Sequence, residues 1–216
     1  MSGTNRGGFL IDIERAVKEN KLEIRGVIHL GAHKAEEYDI YKQIGATNTI
    51  WVDANPQLVK DLQKKFKNDS TARVIQATIS NKKHQAVFKI HNDTHTSSIL
   101  DMDFIAESHP ELHVDSELKV TTISLDELIA ENSVDISKYN MLTIDVQGVE
   151  MEALEGSIEN LKYIDHVYVE VETKDLYVHA ENYSKIRVFL NENGFNLITE
   201  HVRHWYWGDC LYSKAK

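Results

Sequence analysis

The chain is poor in several things, and each lack removes a class of answer. One cysteine, Cys210, occurs in 216 residues, so an intrachain disulfide and a cysteine-based metal site are both excluded. Positive charge is in short supply. Lys and Arg number 24 against 34 Asp and Glu, a formal net charge of −10 with no basic run, which argues against a nucleic-acid binder. No apolar run approaches membrane-spanning length, so no membrane span is expected. The polar start, Met1 to Gly8, lacks the apolar stretch of a signal peptide, and the cytoplasm is the expected compartment. Glycine is scarce where a dinucleotide fold would want three: only Gly31 follows the first apolar strand, which weakens a nicotinamide-dependent oxidoreductase as an alternative. Repeats, low-complexity tracts and interdomain linkers are missing as well. What remains is 42% apolar and 27% charged, the makeup of a globular chain, and its length suits one α/β domain over residues 1–216.

The chain is organised around Gly26-Val-Ile-His-Leu-Gly-Ala-His-Lys-Ala-Glu-Glu37 and Thr49-Ile-Trp-Val-Asp-Ala-Asn-Pro56. Val27 to Leu30 is a short apolar run stopped by Gly31. Tyr38, Tyr41 and Ile44 follow at helical spacing, and Thr49 to Asp53 is a second β-rich run. This reads as a βαβ unit with a helix over about Lys34–Ile44. Gly31 and Ala32 would let a ligand approach the backbone, with the helix N-terminus aimed at it. Asp53 stands 22 positions after Gly31, where an acid can accept hydrogen bonds from ribose hydroxyls. An ordinary turn with a surface Asp is the plain alternative.

Phe9, Leu10, Ile13 and Val17 predict an N-terminal helix over residues 6–20. Pro56 suits the first turn of a helix carrying Leu58, Val59, Leu62 and Phe66. Further strands are predicted at Arg73–Ala77, Ala86–Ile90, Leu118–Ile123, Met141–Ile144, His166–Val171, Phe195–Val202 and Trp207–Tyr212. Ser124 and Glu127 make a capping box. Residues 91–118 have weak periodicity and read as an excursion that could cover a ligand. Strand and helix alternate, so the sheet is expected to be mostly parallel, with ligand at the carboxyl ends of its strands. That lines up Gly31, Asp53, Ala77–Ser80, Asp145 and Glu170 along one edge.

The segments Val27–Glu37, Trp51–Pro56, Ile123–Leu128 and Leu142-Thr-Ile-Asp-Val-Gln-Gly-Val-Glu150 resemble the FkbM family of S-adenosylmethionine-dependent methyltransferases. Val167–Glu170, Lys174–Tyr177 and Trp207–Tyr212 carry the likeness on. The resemblance implies the class I methyltransferase fold: a Rossmann-like three-layer α/β sandwich with a seven-stranded, mostly parallel sheet and an antiparallel last strand. It also implies S-adenosyl-L-methionine as cofactor and O-methylation, with a sugar hydroxyl of a glycan or glycoconjugate as acceptor. Two positions depart from the pattern. Ala35 stands where a glycine is common, and His29 stands where many methyltransferases have an acid.

On that reading Gly31, Ala32, His33, Glu36, Asp53, Ala54 and Asn55 are candidate cofactor contacts from the first two strand ends. Ala77, Thr78, Asp145 and Gln147 join them from the others. A sugar hydroxyl needs a base within reach or a metal that lowers its pKa. Asp145, Glu170 and His33 are the catalytic candidates, and His91, His95 and His179 are further possible bases. Ser97, Ser98, Glu150, Glu172, His179 and Trp205 are candidate substrate contacts. Trp205 would stack on a sugar beside Tyr206 and Trp207, although hairpin packing would equally account for the three. A Mg²⁺ ion held by Asp145, Glu170 and Glu172 is the less favoured option, and no residue is assigned as a metal ligand. Exposed aromatics near Trp205 are compatible with a homodimer. A module that binds without turnover is the remaining alternative.

Overall fold

Alternating apolar runs and amphipathic stretches produce the layers. The computed structural model describes residues 10–103, 106–107, 109–173, 176–178, 183–202 and 206–214. Its elements begin α1 (Ile13–Glu19), β1 (Gly26–Leu30), α2 (Tyr38–Gln43), β2 (Asn48–Asp53), α3 (Pro56–Lys65), β3 (Ala72–Gln76), β4 (Thr78–Ile79) and β5 (Gln85–His91). They continue β6 (Val114–Ile123), α4 (Leu125–Glu131), β7 (Met141–Ile144), α5 (Glu150–Glu155), β8 (His166–Glu172), α6 (Tyr183–Glu192), β9 (Phe195–Val202) and β10 (Trp207–Lys214).

Seven strands form one sheet in the order β3-β2-β1-β7-β8-β10-β9. The five from β3 to β8 run parallel, and β10 is antiparallel to both β8 and β9. This is the mostly parallel sheet with an antiparallel last strand that the sequence predicts. β1 is buried at all five positions, as a central parallel strand covered on both faces must be. Ile28 and Leu30 pack on one side with Leu125 and Leu128 of α4, Leu154 of α5 and Leu190 of α6. Val27 packs on the other with Ile13 and Val17 of α1, Ile40 and Tyr41 of α2 and Leu62 of α3. Trp51 is fully buried in that second layer, its ring between Tyr41 (5.4 Å) and Phe66 (5.8 Å).

Local chemistry sets the ends. Asn55 accepts from the Gln57 and Leu58 N–H groups with Pro56 in the first turn of α3, and Ser124 and Glu127 close the expected capping box on α4. The first helix is shorter than predicted: Asp12 accepts from Arg15 N and starts α1 at Ile13, so residues 10–12 are not helical and 6–9 fall outside the described residues. α2 also starts late, at Tyr38 rather than Lys34. His33 (φ 42°) and Ala35 (φ 52°) take left-handed backbone and hold residues 33–37 in turns.

The 91–118 stretch is more ordered than its periodicity suggests. β5 and β6 form an antiparallel pair, β4 adds in parallel, and a second sheet of order β4-β6-β5 results. Between β5 and β6 the described residues of 92–113 lie outside these strands. Ser98 bridges back to Lys89 of β5, and Met102 bridges to Tyr177, beyond the end of β8 of the main sheet. Among the described residues no helix is long and apolar enough to cross a membrane.

Gly31 and Gly194 share nearly the same left-handed backbone, φ +83° and +84°. A Cβ on Gly31 would sit 1.7 Å from the Asp145 carbonyl oxygen, whereas one on Gly194 meets nothing within 4 Å. Gly194→Ala is therefore expected to cost about 1–2 kcal/mol, the backbone penalty alone. Gly31→Ala should cost at least about 3 kcal/mol, since the tips of β1 and β7 must part. Urea unfolding of the two variants checks the ranking.

Candidate active site

The carboxyl ends of the five parallel strands open into a cavity of about 520 Å³, within the range for a nucleoside-sized ligand. Its walls include Gly31, Ala32, His33 and Glu36 after β1, and Asp53, Ala54 and Asn55 after β2. Ala77 and Thr78 follow from β3, and Asp145 and Gln147 from β7. All the cofactor candidates thus share one space. Glu170 and Glu172 of β8 and Ser97 and Ser98 of the 92–113 loop also reach it. Glu150 does not line it: the carboxylate is buried and accepts from the Val146 and Gly148 N–H groups at 3.0–3.1 Å, closing the turn after β7. His179 and Trp205 lie outside the described residues.

The first turn is built differently from the expectation. The N–H groups of Gly31 and Ala32 both donate to the Val52 carbonyl at 2.9 Å, so neither is left for a ligand by default. The missing side chain of Gly31 makes room for the Asp145 carbonyl. The N-terminus of α2 begins beyond the loop rather than at Gly31. Asp53 holds the loop instead: its carboxylate accepts from His33 N at 2.8 Å and Asn55 N at 2.7 Å. Lys65 fastens the outside of the loop by donating to the carbonyls of Lys34 and Ala35, each at 2.8 Å.

At the centre, Gln147 (φ 55°) points its amide between two acids. Nε2 donates to Asp145 Oδ1 at 2.5 Å and to Glu170 Oε2 at 2.7 Å, while Oε1 lies 2.9 Å from the Tyr177 hydroxyl. Burial pushes both carboxyls up. Glu170 goes well above the usual range, through desolvation first and the nearby Asp145 second. Asp145 is raised by desolvation, partly offset by its hydrogen bonds to Gln147 and Glu170. Of the two, Glu170 is pushed up further, so a proton shared by the pair favours Glu170 and leaves the charge to Asp145. With the Gln147 amide between them, these acids are not arranged as a Mg²⁺ cage. Ser98 is buried, with its hydroxyl donating to the Gln147 carbonyl at 2.6 Å, and Ser97 accepts from His91 N at 3.2 Å. Both hold the loop as well as line the wall.

Three contributors escaped the sequence reading. Asp209 sits opposite Glu170 in the β8–β10 register, is buried, and accepts from Leu10 N at 2.7 Å and from the Tyr168 hydroxyl. An acid inside an otherwise apolar strand was the available signal. Tyr177 was quoted only for the family likeness. Glu37 lines the cavity and also a small polar cleft shared with His29, Thr143, Tyr168 and Asp209. Burial drives Glu37 up to about 8 and His29 down to about 3, so at neutral pH both are uncharged. Their 3.8 Å approach is therefore not an ion pair. Glu37 Oε2 finds no hydrogen-bond partner among the described residues.

The chain matches the family described as the methyltransferase FkbM domain over residues 29–197. None of the curated proteins matches it. Among solved structures it is similar to a magnesium protoporphyrin IX methyltransferase from Synechocystis PCC 6803 with bound SAM, 13% identical over 94% of this chain and 76% of that one, TM-score 0.50. A putative tRNA methyltransferase from Streptococcus pneumoniae in complex with S-adenosyl-L-methionine is 10% identical over 94% and 74%, TM-score 0.52. A SAM-dependent methyltransferase from Aquifex aeolicus is 11% identical over 95% and 91%, TM-score 0.51. At such identities the likeness is one of fold, and the fold is the class I methyltransferase sandwich.

Glu37 carries a pH prediction. A carboxyl raised on folding, here from 4.5 to about 8, binds its proton more tightly in the folded state. The resulting stability is complete below pH 4.5 and is lost as pH rises through 8. Glu37→Gln removes the ionisation. At pH 8.5 it should gain ~2 kcal/mol, about 4–8 °C in Tm, and at pH 5 almost nothing. Thermal melts across that range test it.

Proposed function

The chain belongs to the FkbM methyltransferase family, and from that premise we propose that it transfers a methyl group from S-adenosyl-L-methionine to a hydroxyl of a sugar in a glycan or glycoconjugate. We take residues 1–216 as one methyltransferase domain. The observation that carries the reading is the Asp145–Gln147–Glu170 cluster at the base of the cavity. It presents one carboxylate charge, held in place by an amide, where the strand ends meet.

The residues suit the donor. A wall of small side chains (Gly31, Ala32, Ala54, Ala77) leaves room for a nucleoside, and Asp53 stands at the tip of β2 with lone pairs beyond those used by His33 and Asn55. Asn55 and Thr78 add polar atoms to the same wall, and Glu36 places a carboxylate at the rim. When bound, the cofactor supplies an electrophilic methyl on a good leaving group. The protein's part is alignment, exclusion of water and management of one proton. Asp145 accepts a hydrogen bond from the acceptor hydroxyl and takes its proton as the oxygen becomes bonded to carbon. Glu170, holding its own proton, keeps the charge of the pair on Asp145. Ser97, Ser98 and Glu172 form the side of the cavity where the sugar enters, and Trp207 adds an aromatic face.

Asp145→Asn should lower the rate of labelled-methyl transfer to a glycan panel at least about 100-fold. The Kd for the cofactor should change much less. Methyl transfer exclusively to nitrogen or carbon acceptors, or an Asp145→Asn enzyme with full activity, would overturn the assignment.

A further inference from the structure

Two loops from different sheets meet at the mouth of the cavity, and three side chains converge there. His33 and Glu36 come from the turn between β1 and α2, and His95 comes from the loop between β5 and β6. One donor atom from each lies within 4.8 Å of the other two. Glu36 Oε1 is 3.0 Å from His33 Nδ1 and 4.0 Å from His95 Nε2, and the imidazole centroids are 3.7 Å apart. Four-coordinate zinc with bonds of about 2.0–2.1 Å sets its ligand atoms about 3.3 Å apart, between those two separations. The two imidazoles are tilted 35° to each other, and because His95 and Glu36 are both exposed, rotation of those side chains can turn their ligand atoms toward a common point.

The remaining ring nitrogens are already engaged. His95 Nδ1 lies 2.9 Å from Asp93 Oδ1, and His33 Nε2 lies 2.9 Å from Thr94 Oγ1. Imidazoles that bind metals are oriented in this way, one nitrogen on the ion and the other donating to an oxygen. Without metal, His33 Nδ1 and Glu36 Oε1 share a hydrogen bond at 3.0 Å. With the ring proton on Nε2 and donated to Thr94, Nδ1 offers its lone pair to a cation in place of that bond. Two imidazoles and one carboxylate suit Zn²⁺, Co²⁺ or Ni²⁺ rather than Mg²⁺ or Ca²⁺, which prefer all-oxygen shells.

We propose that His33, Glu36 and His95 form a transition-metal site, zinc by its ligand set, that joins the β1–α2 loop to the β5–β6 loop over the mouth of the cavity. Three protein ligands leave a fourth position for water or another oxygen. The site does not depend on the identity of the methyl acceptor, and its test needs neither donor nor acceptor.

Tag-free protein is titrated calorimetrically with ZnCl₂, and its Tm is followed with and without the metal. Binding of one equivalent is expected, with a Tm rise. His95→Ala, at an exposed position, should bind at least tenfold more weakly and lose the Tm rise while melting like the parent without metal. Glu36→Gln should weaken binding in the same direction. Co²⁺ in place of Zn²⁺ should give a visible absorption band in the parent and none in His95→Ala. Absence of stoichiometric zinc binding by the parent, or equal binding by His95→Ala, overturns the proposal.

Discussion

Where β1 and β7 end side by side, the backbone of Gly31 rests against the carbonyl of Asp145 so closely that no side chain fits between them. β1 has β2 on one side and β7 on the other, so this is where the order of the sheet reverses. Connections leaving neighbouring strands in opposite directions must diverge, and the crevice they leave becomes the cavity. The contact fixes how far apart the two loops begin. Asp145, Gln147 and Glu170 lie on one side of it and His33 and Asp53 on the other. Moving the two tips apart would change every distance across the site at once.

The acids around this point divide into two kinds of work. Asp53 and Glu150 spend their oxygens on backbone N–H groups and shape the turns that carry them. Burial still raises them, to about 6 and about 7, because desolvation outweighs those bonds. Asp145 and Glu170 are tied instead to a side-chain amide, which leaves part of each carboxyl turned to the cavity. Glu36, at the rim, goes the other way: burial works upward, yet the His33 imidazole and the loop N–H groups bring it down to about 2. A charged carboxylate at the entrance and a partly protonated set at the floor give the cavity a graded field rather than a uniform one.

The sheet was legible because its signals are local. Buried parallel strands are short apolar runs ended by polar residues, and the polar residues at those ends are the ones that meet. The start of α2 was hidden because Lys34 to Glu37 have good helical propensity, while the left-handed backbone of His33 and Ala35 is a tertiary demand that composition does not report. Glu150 pointed inward for a related reason: the turn after β7 left backbone donors that only an adjacent acid could satisfy. Asp209 enters the site through a strand register linking it to Glu170 across 39 positions of sequence, and no periodicity within either strand carries that information. The family likeness supplied the chemistry that neither the spacing nor the sheet could have supplied alone.

β10 is made after β8 and β9 but lies between them. Among the described residues β9 pairs only with β10, so it has no place in the sheet until Trp207–Lys214 is made. Until Trp207–Lys214 arrives, β8 and β9 each expose a ladder of unsatisfied amides, and the Tyr168 hydroxyl waits for Asp209. Any ribosome-bound intermediate that lacks this strand is both unable to assemble its catalytic floor and open to pairing with a stranger's edge. The last strand to be made is thus the one that seals the open edge of β8 and gives β9 its partner.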